Sequence, residues 1–273
     1  MTPGPAAPPV HRLLVWRHGR TAWNAGGRFQ GQLDPPLDDE GRAQAAHTAP
    51  HLAALLRGED AVVVSSDLHR ARDTAAALAP LLGVQVQVDG RLREHGLGTW
   101  EGLTRDEVAE RHPGQYADWL AGRPVPGRGG EAQSDVAARA LAAVADLPPA
   151  GVAVLVTHGG TAGRLIEALL GLGPEHRRLL GPLGNCHWSE LSFQTSGWRL
   201  MRHNQAVPTN ADRRVGATGY RGPFPGPSAS DVPDAAPHPA PDTDPATHED
   251  GAARRDAPGS LAGAAATDAD AAG

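Results

Sequence analysis

The chain has 273 residues, enough for one large α/β domain or two small ones. All 25 of its basic residues are arginine and they stand against 31 acids; nine of those acids and two of the arginines lie between Gly222 and the carboxyl end, so the remainder, with 23 arginines and 22 acids, is nearly neutral. This balance excludes the broad basic surface of nonspecific nucleic-acid binding, no stretch approaches the ~20 apolar residues of a membrane-spanning helix, and the lone Cys186 excludes an intramolecular disulfide.

Residues 1–10 (MTPGPAAPPV) are rich in proline and alanine, lack the basic and apolar regions of a secretory signal, and are expected to be disordered. With the single cysteine, which fits a reducing cytosol, they suggest a cytoplasmic protein. From residue 11 to residue 205 short apolar runs alternate with helical patterns. RLLVW, AVVVSS, VQVQV and VAVLVT have strand length and are mostly β-branched; GRAQAAHTAPHLAALLRG, LHRARDTAAALAPLL, DVAARALAAVADL and TAGRLIEALL are helix-like. Strand followed by helix, repeated, predicts an α/β fold: an open, mostly parallel sheet with helices on both faces. CHWSELSF and GWRLMRHN, separated by QTS, predict a closing hairpin or edge pair. Between Leu92 and Gly130 the rhythm breaks into short helices and the loop AGRPVPGRGG, an insertion of about residues 102–130 expected to form a small helical cap over a site. Residues 206–273 are Pro, Ala and Asp-rich, with too few large apolar side chains to offset the entropy of ordering, and predict a disordered acidic tail.

In an open α/β sheet ligands bind beyond the carboxyl ends of the strands. The first strand ends in Arg17-His18-Gly19, the second runs into a helix whose first turn carries His69, Arg70 and Arg72, and VAVLVT ends in His158-Gly159-Gly160. If those strands are neighbours, arginines and histidines converge on one spot. Guanidinium forks and helix amino-terminal N–H groups cradle a phosphate dianion. His18 can attack phosphorus only as neutral imidazole, and like-charge repulsion from Arg17 and Arg70 should keep it neutral. An acid for the leaving oxygen is then needed. Glu94, in the glycine-rich turn RLREHGLGTWEG, is the first choice, free of any helix that would fix its direction; Glu101 is the rival, and Asp89 and Asp106 are also near in sequence. His47 and His51 have the spacing of a metal-binding pair, but no glutamate lies between them and Pro50 should disturb the helix, so no metal is expected there. Arg72 is expected on the surface and Cys186 in a structural role.

The segments RHGRTAWN, RFQGQLDPPLDDEGRAQA, SSDLHRARDTA, LREHGLGTWEG and VTHGG, in that order, resemble the histidine phosphatase superfamily, also called phosphoglycerate mutase-like, over about Arg12 to Asn204. The resemblance implies that His18 is the phosphorylated nucleophile, that Arg17, Arg70 and His158 complete the phosphate pocket, and that Glu94 is the proton donor. It places further substrate contacts at Asn24, Gln30 and Gly31. It implies a phosphomonoester hydrolase without metal or cofactor, a small phosphate monoester as partner, no nucleic-acid or membrane partner, and room for a homodimer. Cofactor-dependent mutases of the family carry a tyrosine where this chain has Leu97 and a paired-arginine motif where it has the separated Arg123 and Arg128. Those departures favour a phosphatase, with a phosphoglycerate mutase as the alternative and a silent phosphate-binding scaffold as a third reading. RFQGQLD, SSDLHRA, GGEAQSDVAARA and LGNCHW are similar to actinobacterial glucosyl-3-phosphoglycerate phosphatases, which makes glucosyl-3-phosphoglycerate the first expected substrate.

Overall fold

The computed structural model describes residues 8–173, 176, 179–195 and 197–208; the expected disorder of the first seven residues and of the tail from 209 lies outside them. Six strands, β1 (Val10–Arg17), β2 (Ala61–Ser65), β3 (Val86–Val88), β4 (Ala150–Thr157), β5 (Trp188–Gln194) and β6 (Gly197–Gln205), form one sheet in the order β3-β2-β4-β1-β5-β6. The first four are mutually parallel where they pair, and β5 and β6 close the sheet as an antiparallel hairpin against β1. The expected α/β architecture is present, with helices on both faces. Strand β1 begins at Val10, the last residue of the segment expected to be disordered, because Val10 pairs with Ala150 and is fully buried.

Alternation along β1 divides the core. Leu13 and Val15 face helices α6 (Gln133–Ala145) and α7 (Gly159–Leu169), while Leu14 and Trp16 face α2 (Asp39–Leu55) and α3 (His69–Leu82). Both faces are covered, which is why β1 and β4 read as continuous apolar runs. Leu13, Leu14 and Val15 have no exposed surface, and each contributes ~1.5–3 kcal/mol of transfer free energy.

Two local expectations change. Pro50 does not interrupt α2, nor Pro80 α3. Each proline removes a hydrogen bond to the carbonyl four residues earlier, but Ala46 and Ala76, which lose that partner, lie on the exposed side, and the packed faces continue undisturbed. Strand β3 is three residues long rather than five, since Gly83 takes the left-handed conformation that ends α3 and the Val84 N–H is spent on the Ala79 carbonyl. The insertion carries α4 (Arg105–Arg111) and α5 (Pro113–Leu120) and returns through a loop whose Arg128 carbonyl accepts from the Thr99 N–H at 2.9 Å, while its guanidinium lies 5.2 Å from the Trp100 ring centroid.

The loop after β1 is stapled to the start of α2. Asp38 caps that helix by accepting from the Gly41 N–H at 2.7 Å, its own N–H donates to the Arg20 carbonyl at 3.1 Å, and Arg20 Nε pairs with its carboxylate at 2.9 Å. The two backbones touch at Gly41. Alanine normally improves a helix over glycine by about 1 kcal/mol, yet a Cβ at Gly41 would lie 2.0 Å from the Arg20 carbonyl oxygen. Gly41→Ala should therefore lower stability, by about 1–3 kcal/mol in a urea titration; a stabilised variant would show that the close approach does not limit this contact.

Candidate active site

Strand order decides what meets. Strand β4 lies between β2 and β1, with Arg17 level with Thr157 and Ser65 level with Val156, so the residues that follow all three strands leave the sheet at one height. The rings of His18 and His158 lie 5.0 Å apart, both buried. His18 Nδ1 is 2.7 Å from the Gly19 carbonyl oxygen. A carbonyl only accepts, so Nδ1 carries the proton and the lone pair sits on Nε2. The Leu68 N–H donates to the Ser66 hydroxyl oxygen at 3.3 Å, and that hydroxyl lies 2.9 Å from His158 Nε2. With Ser66 donating to Nε2, Nδ1 of His158 bears the hydrogen and has no partner among the described residues.

Arg70, from the first turn of α3, is fully buried. Its Nη2 donates to the Gly31 carbonyl at 2.8 Å and its Nη1 to the Leu33 carbonyl at 2.7 Å, leaving Nε buried without a partner among the described residues. Arg17 Nη1 donates to the Leu183 carbonyl at 2.6 Å, and its guanidinium carbon lies 3.4 Å from where a Cβ of Gly159 would stand, which places the cation in van der Waals contact with the start of α7. Burial, followed by the charges of Arg70 and Arg17, holds the His18 pKa well below the ordinary imidazole value. Burial and then Arg70 do the same for His158. Two neutral histidines and two guanidinium groups form a buried, electropositive pocket with unsatisfied donors, the chemistry of an oxyanion site.

Glu94 sits beside this pocket, and a helix does fix its direction, contrary to the expectation from its glycine-rich setting. Its Oε1 accepts from the N–H groups of His95 at 2.8 Å and Thr161 at 3.0 Å, and Oε2 accepts from the Gly160 N–H at 3.1 Å, so the carboxylate is held on the first turn of α7. A Cβ at position 160 would fall 2.7 Å from Glu94 Oε1, so any larger residue there would push the carboxylate off the helix turn. Glu101 is elsewhere engaged. Its Oε1 accepts from the N–H groups of Gln32 and Leu97 and ties two loops together.

Asn24, Gln30 and Gly31 converge on the same turn. Asn24 Oδ1 accepts from the Thr21 N–H at 3.1 Å and from Asn185 Nδ2 at 3.2 Å; the Thr21 hydroxyl also lies 3.1 Å from Gln30 Oε1, and Gly31, at φ +52°, offers its carbonyl to Arg70. Asn185 also donates to the carbonyls of His18 and Gly19. Ser66, Thr161 and Asn185 are the supporting residues that sequence reasoning did not single out for these positions. Arg72 is exposed, as expected, and Cys186 is buried just ahead of β5, its thiol pushed up to about 12 by burial and its N–H donated to the His18 carbonyl.

A model of the histidine phosphatase superfamily (branch 1) matches residues 13–206. The chain belongs to that superfamily. It is 43% identical over 196 residues to the glucosyl-3-phosphoglycerate phosphatase of Mycolicibacterium vanbaalenii, covering 68% of this chain and 86% of the relative. It is 38% identical over 192 residues to a protein named probable phosphoglycerate mutase of Cronobacter sakazakii, with 68% and 87% covered. Among solved structures, a mycobacterial glucosyl-3-phosphoglycerate phosphatase in complex with VO3 superposes with a TM-score of 0.64 at 42% identity, covering 72% of this chain and all of that one. No described helix of this histidine phosphatase is long and apolar enough to cross a membrane.

The buried histidines give this histidine phosphatase a pH signature. Both have folded pKa values well below 6.5, so as the pH falls through 6.5 the unfolded chain takes up protons that the folded chain does not. Stability should drop by up to ~1.4 kcal/mol per pH unit for each histidine, and be fully retained above that window. Urea midpoints between about pH 7.5 and pH 5.5 should show a shallower slope for His158→Asn than for the wild type; equal slopes would contradict the neutral burial of His158.

Proposed function

We propose that this histidine phosphatase hydrolyses a small phosphate monoester, glucosyl-3-phosphoglycerate before others, through a phosphohistidine on His18. The observation that carries the reading is the pairing of a buried His18, its Nδ1 proton engaged by the Gly19 carbonyl, with the buried donors of Arg70 Nε and His158 Nδ1. The lone pair of Nε2 attacks phosphorus, the phosphorus–oxygen bond to the alcohol breaks, and Glu94 delivers a proton to the leaving oxygen. Water then attacks the phosphoryl group while Glu94 takes its proton, the phosphorus–nitrogen bond breaks, and its electrons return to Nε2. Arg17, Arg70 and His158 hold the nonbridging oxygens throughout. Asn24, Gln30 and Gly31 line the substrate side of the turn. The proposed setting is the cytoplasm.

The substrate rests on the names of similar proteins and on the departures at Leu97, Arg123 and Arg128 from the mutase pattern. Supplied with glucosyl-3-phosphoglycerate, the protein should release inorganic phosphate, and 3-phosphoglycerate should not be converted to 2-phosphoglycerate; the reverse result would make it a mutase. Rapid mixing with labelled substrate and quenching in base should leave label on the wild type and none on His18→Ala. Glu94→Gln should slow turnover of an alkyl phosphate by ~10²–10⁴-fold; an unchanged rate would remove Glu94 from acid–base chemistry.

A further inference from the structure

Arg139, on α6, lies outside the five segments that carry the superfamily resemblance, yet three of its five N–H donors are committed to the segment that carries Glu94 and the other two to Glu131. Nη1 donates to the carbonyls of Arg91 at 2.6 Å and Arg93 at 2.8 Å. Nη2 donates to the Glu94 carbonyl at 3.1 Å and to Glu131 Oε2 at 3.0 Å, and Nε donates to Glu131 Oε1 at 2.8 Å. Glu131 in turn accepts from the Gly96 N–H at 2.7 Å. One guanidinium therefore gathers three carbonyls that point the same way and, through a carboxylate, the amide two residues beyond Glu94.

The opposite side of the same segment is held by α7. The Thr161 hydroxyl donates to the Arg93 carbonyl at 2.6 Å, and the Thr161 N–H holds the Glu94 carboxylate. The Arg93–Glu94 peptide is thus clamped between a side chain of α6 and the amino-terminal turn of α7. Lysine, with three donors and no planar fork, cannot satisfy three carbonyls and a bidentate carboxylate at once. The Arg139 side chain is 18% exposed, so water would not readily replace it.

We propose that Arg139 is a positioning residue for Glu94, fixing the backbone from which the carboxyl reaches the leaving-group oxygen; this rests on the acid role of Glu94 proposed above. The contribution is geometric. Arg139 holds the main chain and leaves the phosphate pocket to Arg17, Arg70, His18 and His158. Its loss should therefore be felt where protonation of the leaving oxygen limits the rate, and not where the alcohol departs unaided.

The test compares Arg139→Ala, Arg139→Lys and Glu94→Gln in the full chain with two substrates, glucosyl-3-phosphoglycerate and 4-nitrophenyl phosphate, the second of which leaves as a stabilised phenolate. Values of kcat/KM are read, since these report events up to phosphoryl transfer onto His18. For Arg139→Ala the alkyl substrate should lose about 10²-fold, the scale of a ~1 Å misplacement, while 4-nitrophenyl phosphate and the inhibition constant of inorganic phosphate stay within about threefold. Arg139→Lys should lose in the same selective sense and decides the matter if the alanine variant does not fold. Equal losses on both substrates, or none on either, with Glu94→Gln still selective, would overturn the role of Arg139 alone. A Glu94→Gln variant that fails to discriminate between the substrates would overturn the acid role itself.

Discussion

The parallel pairing of β1 with β4 is the contact on which the site depends. It sets Arg17 level with Thr157, so that the residue following each strand is a histidine and the two imidazoles arrive side by side, tilted 58° to one another. A slip of one residue would turn every side chain of β1 to the other face of the sheet. Leu13 and Val15 would then meet α2 and α3, and Leu14 and Trp16 would meet α6 and α7. The apolar pattern that fills the two cores is therefore the same pattern that sets the position of His18.

Placing cations at that point is costly, and the surroundings show how the cost is met. Arg70 is buried with neutral carbonyls of Gly31 and Leu33 as its main partners, and with Asp34 only at 3.4 Å. Carbonyl dipoles satisfy the guanidinium without cancelling its charge, which leaves the field available to an incoming anion. Burial first, and then the same field, lowers the proton affinity of both histidines. Carboxylates that approach the pocket are tied down by backbone amides: Glu94 by the first turn of α7 and Glu101 by the N–H groups of Gln32 and Leu97. Neither carboxylate forms a direct ion pair with Arg17 or Arg70 among the described contacts.

Strand ends were legible in the sequence because an apolar run that stops at Arg17-His18-Gly19 or His158-Gly159-Gly160 delivers polar side chains to a point where packing alone asks for none. Arg70 was legible as a first-turn residue of a helix that follows such a strand. What could not be read were partners distant along the chain. Glu94 meets Gly160 across 66 residues, Arg139 meets Glu94 across 45, and Asn185 reaches His18 across 167. Nothing in LREHGLGTWEG announces that its carboxylate caps a helix in another part of the molecule, so the turn looked free when it is clamped. Pro50 misled for the opposite reason. Its local rule is sound, but the carbonyl it releases faces outward and the packed stripe of Ala45, Ala49 and Leu52 carries the helix past it.

The hydrogen bond from His18 Nδ1 to the Gly19 carbonyl has a meaning for the second half of the proposed reaction. A carbonyl oxygen orients the imidazole and retains no claim on its proton, unlike a carboxylate partner, which would draw that proton toward itself. Once Nε2 is phosphorylated, the Nδ1 hydrogen stays on the ring and the group attached to phosphorus is an imidazolium. An imidazolium departs as neutral imidazole, whereas an uncharged ring would have to depart as an anion. In the proposed reaction the bond that orients Nε2 thus also makes it a good leaving group, and the proposed phosphohistidine is one that water resolves readily.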